Sequence, residues 1–490
     1  MPTQSYSDQR AKVDELGFTP SVEALLEIIR DSEVADTPLT IGVFGAWGSG
    51  KTSLMGMIAD HLDQSPVCLP IWFDAWRYAQ GDALWRALLI SVIEEIRARV
   101  LGDPERLRTL VTRRAQASGT SIPSDFQAAR PALEQRLDDL VASLYHSVER
   151  EKVGNIQINW PEATKASLRS AIRLGLAGIP VAGLVVNGLD EVVKSAQGEA
   201  GKGEDVDSLT RAIRRERSKI YSEQVRSLEQ FYQQLKALLE EWSLLAGYRL
   251  VIFIDDLDRC LPEQAVGVLE AVKVFLDIQG CVFILGVDRE VIEHGIRVRY
   301  TPFALDAAAA ARAGGAGIMP IGERDYLEKI IQVPFDIPSL DPVVIEHFLQ
   351  TRLGVLEGLQ GDDAGRVARV MSRGLLRNPR KLKRTYGSFR LGLALRRARG
   401  RSLHPVQLAK LVVIQSSFPA IYTEVVRRPQ LLVELEQVAR QLPGASTRDE
   451  VRTLVKANPR LEAMLFEERF FADLGSDDLA DLVYLGRSPE

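Results

Sequence analysis

The chain of 490 residues has only three cysteines, Cys68, Cys260 and Cys281, and five histidines. Three thiols without metal-site spacing exclude a disulfide framework and point to a reducing, cytoplasmic compartment. The histidines, at 61, 146, 294, 347 and 404, are scattered without ligand spacing. No Ser/His/Asp or Cys/His nucleophile arrangement stands out. Positive charge is not in excess either: 61 Lys and Arg against 66 Asp and Glu leave a net charge of −5. Any contact with nucleic acid must therefore come from a local patch. The N-terminus, MPTQSYSDQR, lacks the basic start and apolar run of a secretory signal. Long hydrophobic runs are also lacking. The longest of note, Leu174 to Leu189, is sixteen residues without a charge, broken by Pro180, Asn187 and four glycines. A spanning helix needs about 20 apolar residues. The run reads as a buried or partner-docking hairpin, with membrane association through 174–189 as the alternative.

What is present is the pattern of an α/β protein. Val22, Leu25, Leu26 and Ile29 share one helical face. Apolar runs at 38–44, 67–73, 250–254, 281–285 and 330–335 read as strands, and Pro70 favours an edge position for the second. Five strands separated by helices within the first 340 residues predict a parallel sheet. From about 341 onward only helical patterns occur. A helix over roughly 206–246 carries two apolar rows at heptad spacing, Leu228, Leu235, Trp242 and Phe231, Leu238, Leu245, and reads as core-facing. The Ala- and Gly-rich stretch 306–322 reads as a loop or insertion.

The segment Gly45, Ala46, Trp47, Gly48, Ser49, Gly50, Lys51, Thr52 fits G-x-x-x-x-G-K-[ST] and is followed by Ser53. Glycines let the backbone wrap a phosphate with its N–H groups, and the helix starting at Gly50 turns its positive end to the same anion. Lys51 is expected to reach the β- and γ-phosphates and the Thr52 hydroxyl to bind Mg²⁺. The second apolar signal, Val251 to Ile254, ends in Asp255, Asp256 and, two residues on, Asp258. Asp255 is the expected Mg²⁺ ligand. Asp256 is the first candidate for general base and Asp258 the second. Two uses stay open for Asp288, at the end of the next strand: sensing the γ-phosphate or orienting water, and capping the helix at 289–296.

Lys51 and Asp255 lie much farther apart than one crossover helix and one strand require, so a large helical insertion separates them. The expected division is a first core part at 1–90, a helical insertion at 91–247, a second core part at 248–345 and a helical C-terminal domain at 346–490.

Six segments in order, GVFGAWGSGKTSLM (42–55), WFDAWRY (72–78), VIFIDDLDRCLPE (251–263), VFILGVDRE (282–290), YLEKIIQVPFDIP (326–338) and RNPRKLKR (377–384), resemble the KAP family of P-loop NTPases. The resemblance implies an additional-strand P-loop core and ATP as the nucleotide. It also implies metal and base roles for Asp255 and Asp256. Its bacterial relatives occur in phage exclusion and antiviral defence operons, which implies partner proteins from such an operon. Self-assembly stays open. Family members commonly carry membrane helices between the two nucleotide motifs, where this chain has only 174–189. Asp74, Trp76 and Tyr78 belong to a family motif, and packing beneath the phosphate loop is the favoured account of the two aromatics.

Between Arg373 and Arg401 there are eleven Lys or Arg and no acid. Arg380, then Lys383 and Arg384, are candidates for a cation delivered to the γ-phosphate. A solvated basic face and a nucleic-acid contact through 373–401 are the other readings. The combined expectation is an Mg²⁺-dependent ATPase switch in a defence complex. The alternatives are a nucleic-acid-dependent motor or loader and a membrane-associated scaffold. A small-molecule kinase is disfavoured, because no acceptor pocket is legible.

Overall fold

A computed structural model describes residues 10, 13–31, 37–65, 68–79, 84–117, 119–121, 125–152, 232–240, 249–275, 278–298, 323–354, 356, 359, 362–375, 377–398, 404–442 and 449–485. The stretches 174–189 and 306–322 lie outside them, as does most of the expected 206–246 helix. Of that helix, residues 232–240 are helical, and Leu235 and Leu238 are buried as the apolar rows require.

Five strands form one sheet: β1 (Leu39–Phe44), β2 (Cys68–Asp74), β3 (Arg249–Asp255), β4 (Cys281–Val287) and β5 (Val333–Asp336). Their order is β2-β3-β4-β1-β5. β1 pairs in parallel with β4, from Leu39 opposite Val282 to Phe44 opposite Val287. On its other side β1 pairs in parallel with β5, from Ile41 opposite Val333 to Phe44 opposite Asp336. β4 is buried at every position and β1 and β3 at all but the first, as expected of parallel strands covered on both faces. Pro70 lies on the edge strand β2, where a missing N–H is tolerated. The apolar run from Ile330 enters the sheet only at Val333. Ile330 and Ile331 are buried but precede the strand, closing a turn onto Leu327.

The order places β4 between the strand that leads into the phosphate loop and the strand that ends in Asp255. This is the additional-strand arrangement. Because β1, β4 and β5 run in parallel, the ends of those strands open onto one edge of the sheet. Ligands of α/β sheets bind at that edge.

The described residues within Met1–Gln80, Val251–Lys273 and Val282–Glu490 form one compact unit, and those within Gly81–Leu250 and Val274–Cys281 another. The second unit holds the helices Leu84–Ile96, Pro104–Ala117 and Arg130–Lys152, with Leu88, Leu107 and Leu137 buried. The helices after residue 341 belong to the first unit. Five of them, at Pro342, Pro379, Pro405, Pro419 and Pro459, start on a proline, whose missing N–H costs nothing in a first turn.

Within these C-terminal helices Lys410 is fully buried. Its ammonium donates to Glu436 Oε1 at 2.7 Å and to the carbonyls of Leu465, Glu467 and Arg469 at 3.3, 2.7 and 3.2 Å. Glu436 Oε2 accepts the Phe471 N–H at 2.6 Å. A buried charge persists only when it is paired and hydrogen-bonded, and this one pins the 465–471 turn to two helices. Among the described residues no helix is long and apolar enough to cross a membrane.

Candidate nucleotide site

The phosphate loop spans Gly45 to Gly50, between β1 and the helix Lys51–Asp63. Gly48 and Gly50 take φ of +81° and +105°, the left-handed region that favours glycine. A Cβ at Gly48 would fall 2.8 Å from Arg380 Cβ, and one at Gly50 would fall 2.8 Å from the Phe18 ring. The loop is tied to β4 by the Gly45 N–H on the Val287 carbonyl at 3.2 Å, and across itself by the Ser49 N–H on the Ala46 carbonyl at 3.0 Å. Lys51, at the start of that helix, is buried. Its ammonium donates to the Gly45 carbonyl at 2.8 Å and to Asp258 Oδ2 at 3.1 Å.

β3 delivers the acids. Asp255 is 3 % exposed, and its carboxyl accepts a hydrogen bond from the Thr52 side chain. Burial pushes this carboxyl above the usual range, against the Thr52 bond and the Lys51 charge. Its Oδ1 is buried without a partner. A buried carboxylate oxygen left bare beside a hydroxyl suits a divalent cation, which takes carboxylate and hydroxyl oxygens and would relieve the desolvation. The chemistry of Thr52 and Asp255 therefore fits Mg²⁺.

Asp256 follows with φ +56°, a left-handed conformation that Asp tolerates better than most residues. Its Oδ1 pairs with Arg259 Nη2 at 2.8 Å. Burial, then the neighbouring Asp255 charge, push the Asp256 carboxyl up to about 6, with Arg259 opposing. Asp258 lies on the 3₁₀ turn Leu257–Arg259 and is committed to Lys51.

A cavity of about 480 Å³ opens over Lys51 and Thr52, with Ser53, Asp256, Arg380 and Lys383 among its lining. Arg380 thus reaches the site across the sequence. Its backbone N–H meets the Gly48 carbonyl at 3.3 Å, and its guanidinium lies 5.0 Å from the Trp47 ring centre. Asp288 goes the other way: its Oδ1 accepts the Glu290 N–H at 3.2 Å and caps the helix that begins at 289, and it does not line the cavity.

Trp76 and Tyr78 correct the packing expectation. They are 56 % and 41 % exposed. Tyr78 stacks on Phe73 at 5.3 Å between ring centres, and Trp76 lies 5.5 Å from the Arg259 guanidinium. Their motif reaches the site by another route, since the Ala75 N–H donates to the Asp255 carbonyl at 3.0 Å. Cys260 and Cys281 are buried as expected, and burial raises their thiols to about 11 and about 12.

Two further residues belong here that lie inside quoted segments but were given no role, Arg259 and Asn378. Arg259 lies 6.0 Å from the Trp47 ring centre as well as beside Trp76, so two indoles flank the cation that holds Asp256. Asn378 donates from Nδ2 to the Trp47 carbonyl at 2.9 Å and accepts the Arg380 and Lys381 N–H groups on Oδ1, both at 3.1 Å. Asn before Pro at a helix start is a capping signal, so Asn378 was legible as a cap though not as a clamp on the loop.

An uncharacterised protein of Methanocaldococcus jannaschii is 23% identical over 217 residues, covering 44% of this chain and 86% of that one. The ORC2 protein of Aeropyrum pernix, solved in ADPNP–ADP complexes, aligns over 98% of this chain and 95% of its own at 11% identity. The TM-score of that alignment is 0.34. A model of the KAP family P-loop domain matches residues 18–395, a span that holds the phosphate loop, the β3 acids and Arg380. The chain belongs to the KAP family of P-loop NTPase domains.

Proposed function

We propose that the protein is an Mg²⁺-dependent ATPase whose nucleotide cycle switches a multi-protein, antiviral defence complex. The observation that carries the enzymatic part is the bare, buried Asp255 Oδ1 beside the Thr52 side chain, within reach of the Lys51 charge and followed by Asp256. Bound Mg²⁺ would neutralise phosphate charge and hold the terminal phosphate in place. Lys51 would exchange Asp258 and the Gly45 carbonyl for phosphate oxygens. Asp256, which lines the cavity over Lys51 and Thr52, is our candidate to take the proton of the attacking water, with Asp258 the second. Arg380, tied to the loop through Gly48, would carry the loop's state through its own helix, Pro379–Ala398, to the C-terminal helices.

The choice of ATP and the defence setting rest on the family resemblance. In purified protein Lys51→Ala should abolish hydrolysis, and wild-type turnover in that variant would remove the site assignment. In a bacterial host carrying the intact gene neighbourhood, the same variant should lose protection in a phage plating assay. Full protection with Lys51→Ala would detach the nucleotide cycle from defence.

A further inference from the structure

The basic segment after Arg373 has two destinations. Arg380 and Lys383 line the nucleotide cavity. Arg373 and Arg377, only a few residues earlier, line a second, open cavity of about 540 Å³. A third arginine reaches it from far along the chain: Arg460, in the first turn of the helix Pro459–Leu465. Ser372, Leu375 and Pro459 complete the walls that matter here, and no Asp or Glu lines the groove.

Three guanidinium groups gathered from two separate elements repel one another unless anions face them. Arg373 has a partner in Glu467, with Nη1 to Oε2 at 3.4 Å, but Arg369 takes the other oxygen of that carboxylate at 3.0 Å. Arg377 and Arg460 form no hydrogen bond or ion pair with any described residue. The guanidinium fork matches phosphate oxygens, and the Leu375 and Pro459 faces offer apolar contact to a sugar. The groove is open, and the helix that follows Arg377 in the chain, Pro379–Ala398, carries further exposed cations at Lys381 and Arg384. An extended polyanion fits such a track better than a single small anion. We propose that the Arg373–Arg377–Arg460 groove binds the phosphodiester backbone of a nucleic acid. The site goes beyond the nucleotide reading, although Arg377 is joined directly to Asn378, which holds the phosphate loop at the Trp47 carbonyl.

The test is fluorescence anisotropy of labelled single-stranded DNA, single-stranded RNA and duplex DNA with the full-length chain, titrated at several salt concentrations. Wild-type protein should bind at least one of these at low salt, with affinity falling steeply as salt rises. Arg377→Glu combined with Arg460→Glu should weaken binding at least tenfold and flatten the log–log salt slope by about two. Arg460→Gln, a milder change, should give a smaller loss and guards against misfolding of the double variant, which a melting curve would reveal. Lys51→Ala should bind nucleic acid like the wild type, so a failed nucleotide assignment leaves this result readable. Absence of binding at low salt would overturn the proposal. So would equal binding by wild type and both arginine variants, or displacement by polyglutamate as effective as by unlabelled nucleic acid.

Discussion

The Lys51 ammonium lies 3.1 Å from Asp258 Oδ2, and both side chains are buried, at 7 % and 6 % exposure. The lysine that must meet phosphate is thus already paired. A nucleotide has to compete with Asp258 for it. In Asp258→Asn that competition is gone, so nucleotide should bind several-fold more tightly, about 1 kcal/mol. The nucleotide-free protein should at the same time melt at a lower temperature, because Lys51 is left buried with less compensation. Calorimetric titration and melting curves read the two changes. Weaker nucleotide binding in Asp258→Asn would instead give Asp258 a direct part in holding the ligand.

Asp256 works as a base only when ionised. Its carboxyl is raised to about 6, so kcat/KM should fall as pH drops through about 6, roughly tenfold per pH unit below it. The acid form is the inactive one, so turnover is retained above that point. A flat profile between pH 7 and pH 5 would remove Asp256 as the base.

Arg259 holds Asp256 at 2.8 Å between Trp47 and Trp76. Arg259→Ala should lower kcat about tenfold or more while leaving nucleotide affinity nearly unchanged. In an Asp256→Ala background the same change should cost nothing further, since the arginine acts through that carboxylate. Additive losses would show that Arg259 acts on the nucleotide itself.

The Lys410–Glu436 pair predicts a stability effect far from the chemistry. Lys410→Met leaves Glu436 buried and several carbonyls unsatisfied, and should cost about 3–5 kcal/mol in urea unfolding. Adding Glu436→Leu should recover part of that loss. A neutral single variant would mean that water replaces the ammonium.

How much of this was legible depended on whether a feature was local. The phosphate loop, Lys51, Thr52 and Asp255 lie in short contiguous segments whose spacing follows from the chemistry, and the structure brings these segments together. Pro70 marked an edge strand through one missing donor. Asp288 could be read as a cap or a sensor, and the structure shows the cap bond to Glu290. Trp76 and Tyr78 were expected inside because aromatics bury large areas. Trp76 instead sits against a guanidinium 183 positions later in the numbering, at Arg259, which no local pattern encodes. Arg460 joins Arg373 and Arg377 only because helices pack that way. Lys410, in an apolar helix, gave no sign of its four acceptors.

The central claim is that Lys51, Thr52, Asp255 and Asp256 form one hydrolytic site with separate binding and proton-transfer parts. The most direct measurement compares Mg²⁺-dependent ATP binding and single-turnover hydrolysis in wild type and Asp256→Ala. The account predicts that the variant binds ATP as tightly as wild type and hydrolyses it at least a hundredfold more slowly. Unchanged hydrolysis in Asp256→Ala, or loss of binding together with hydrolysis, would contradict it.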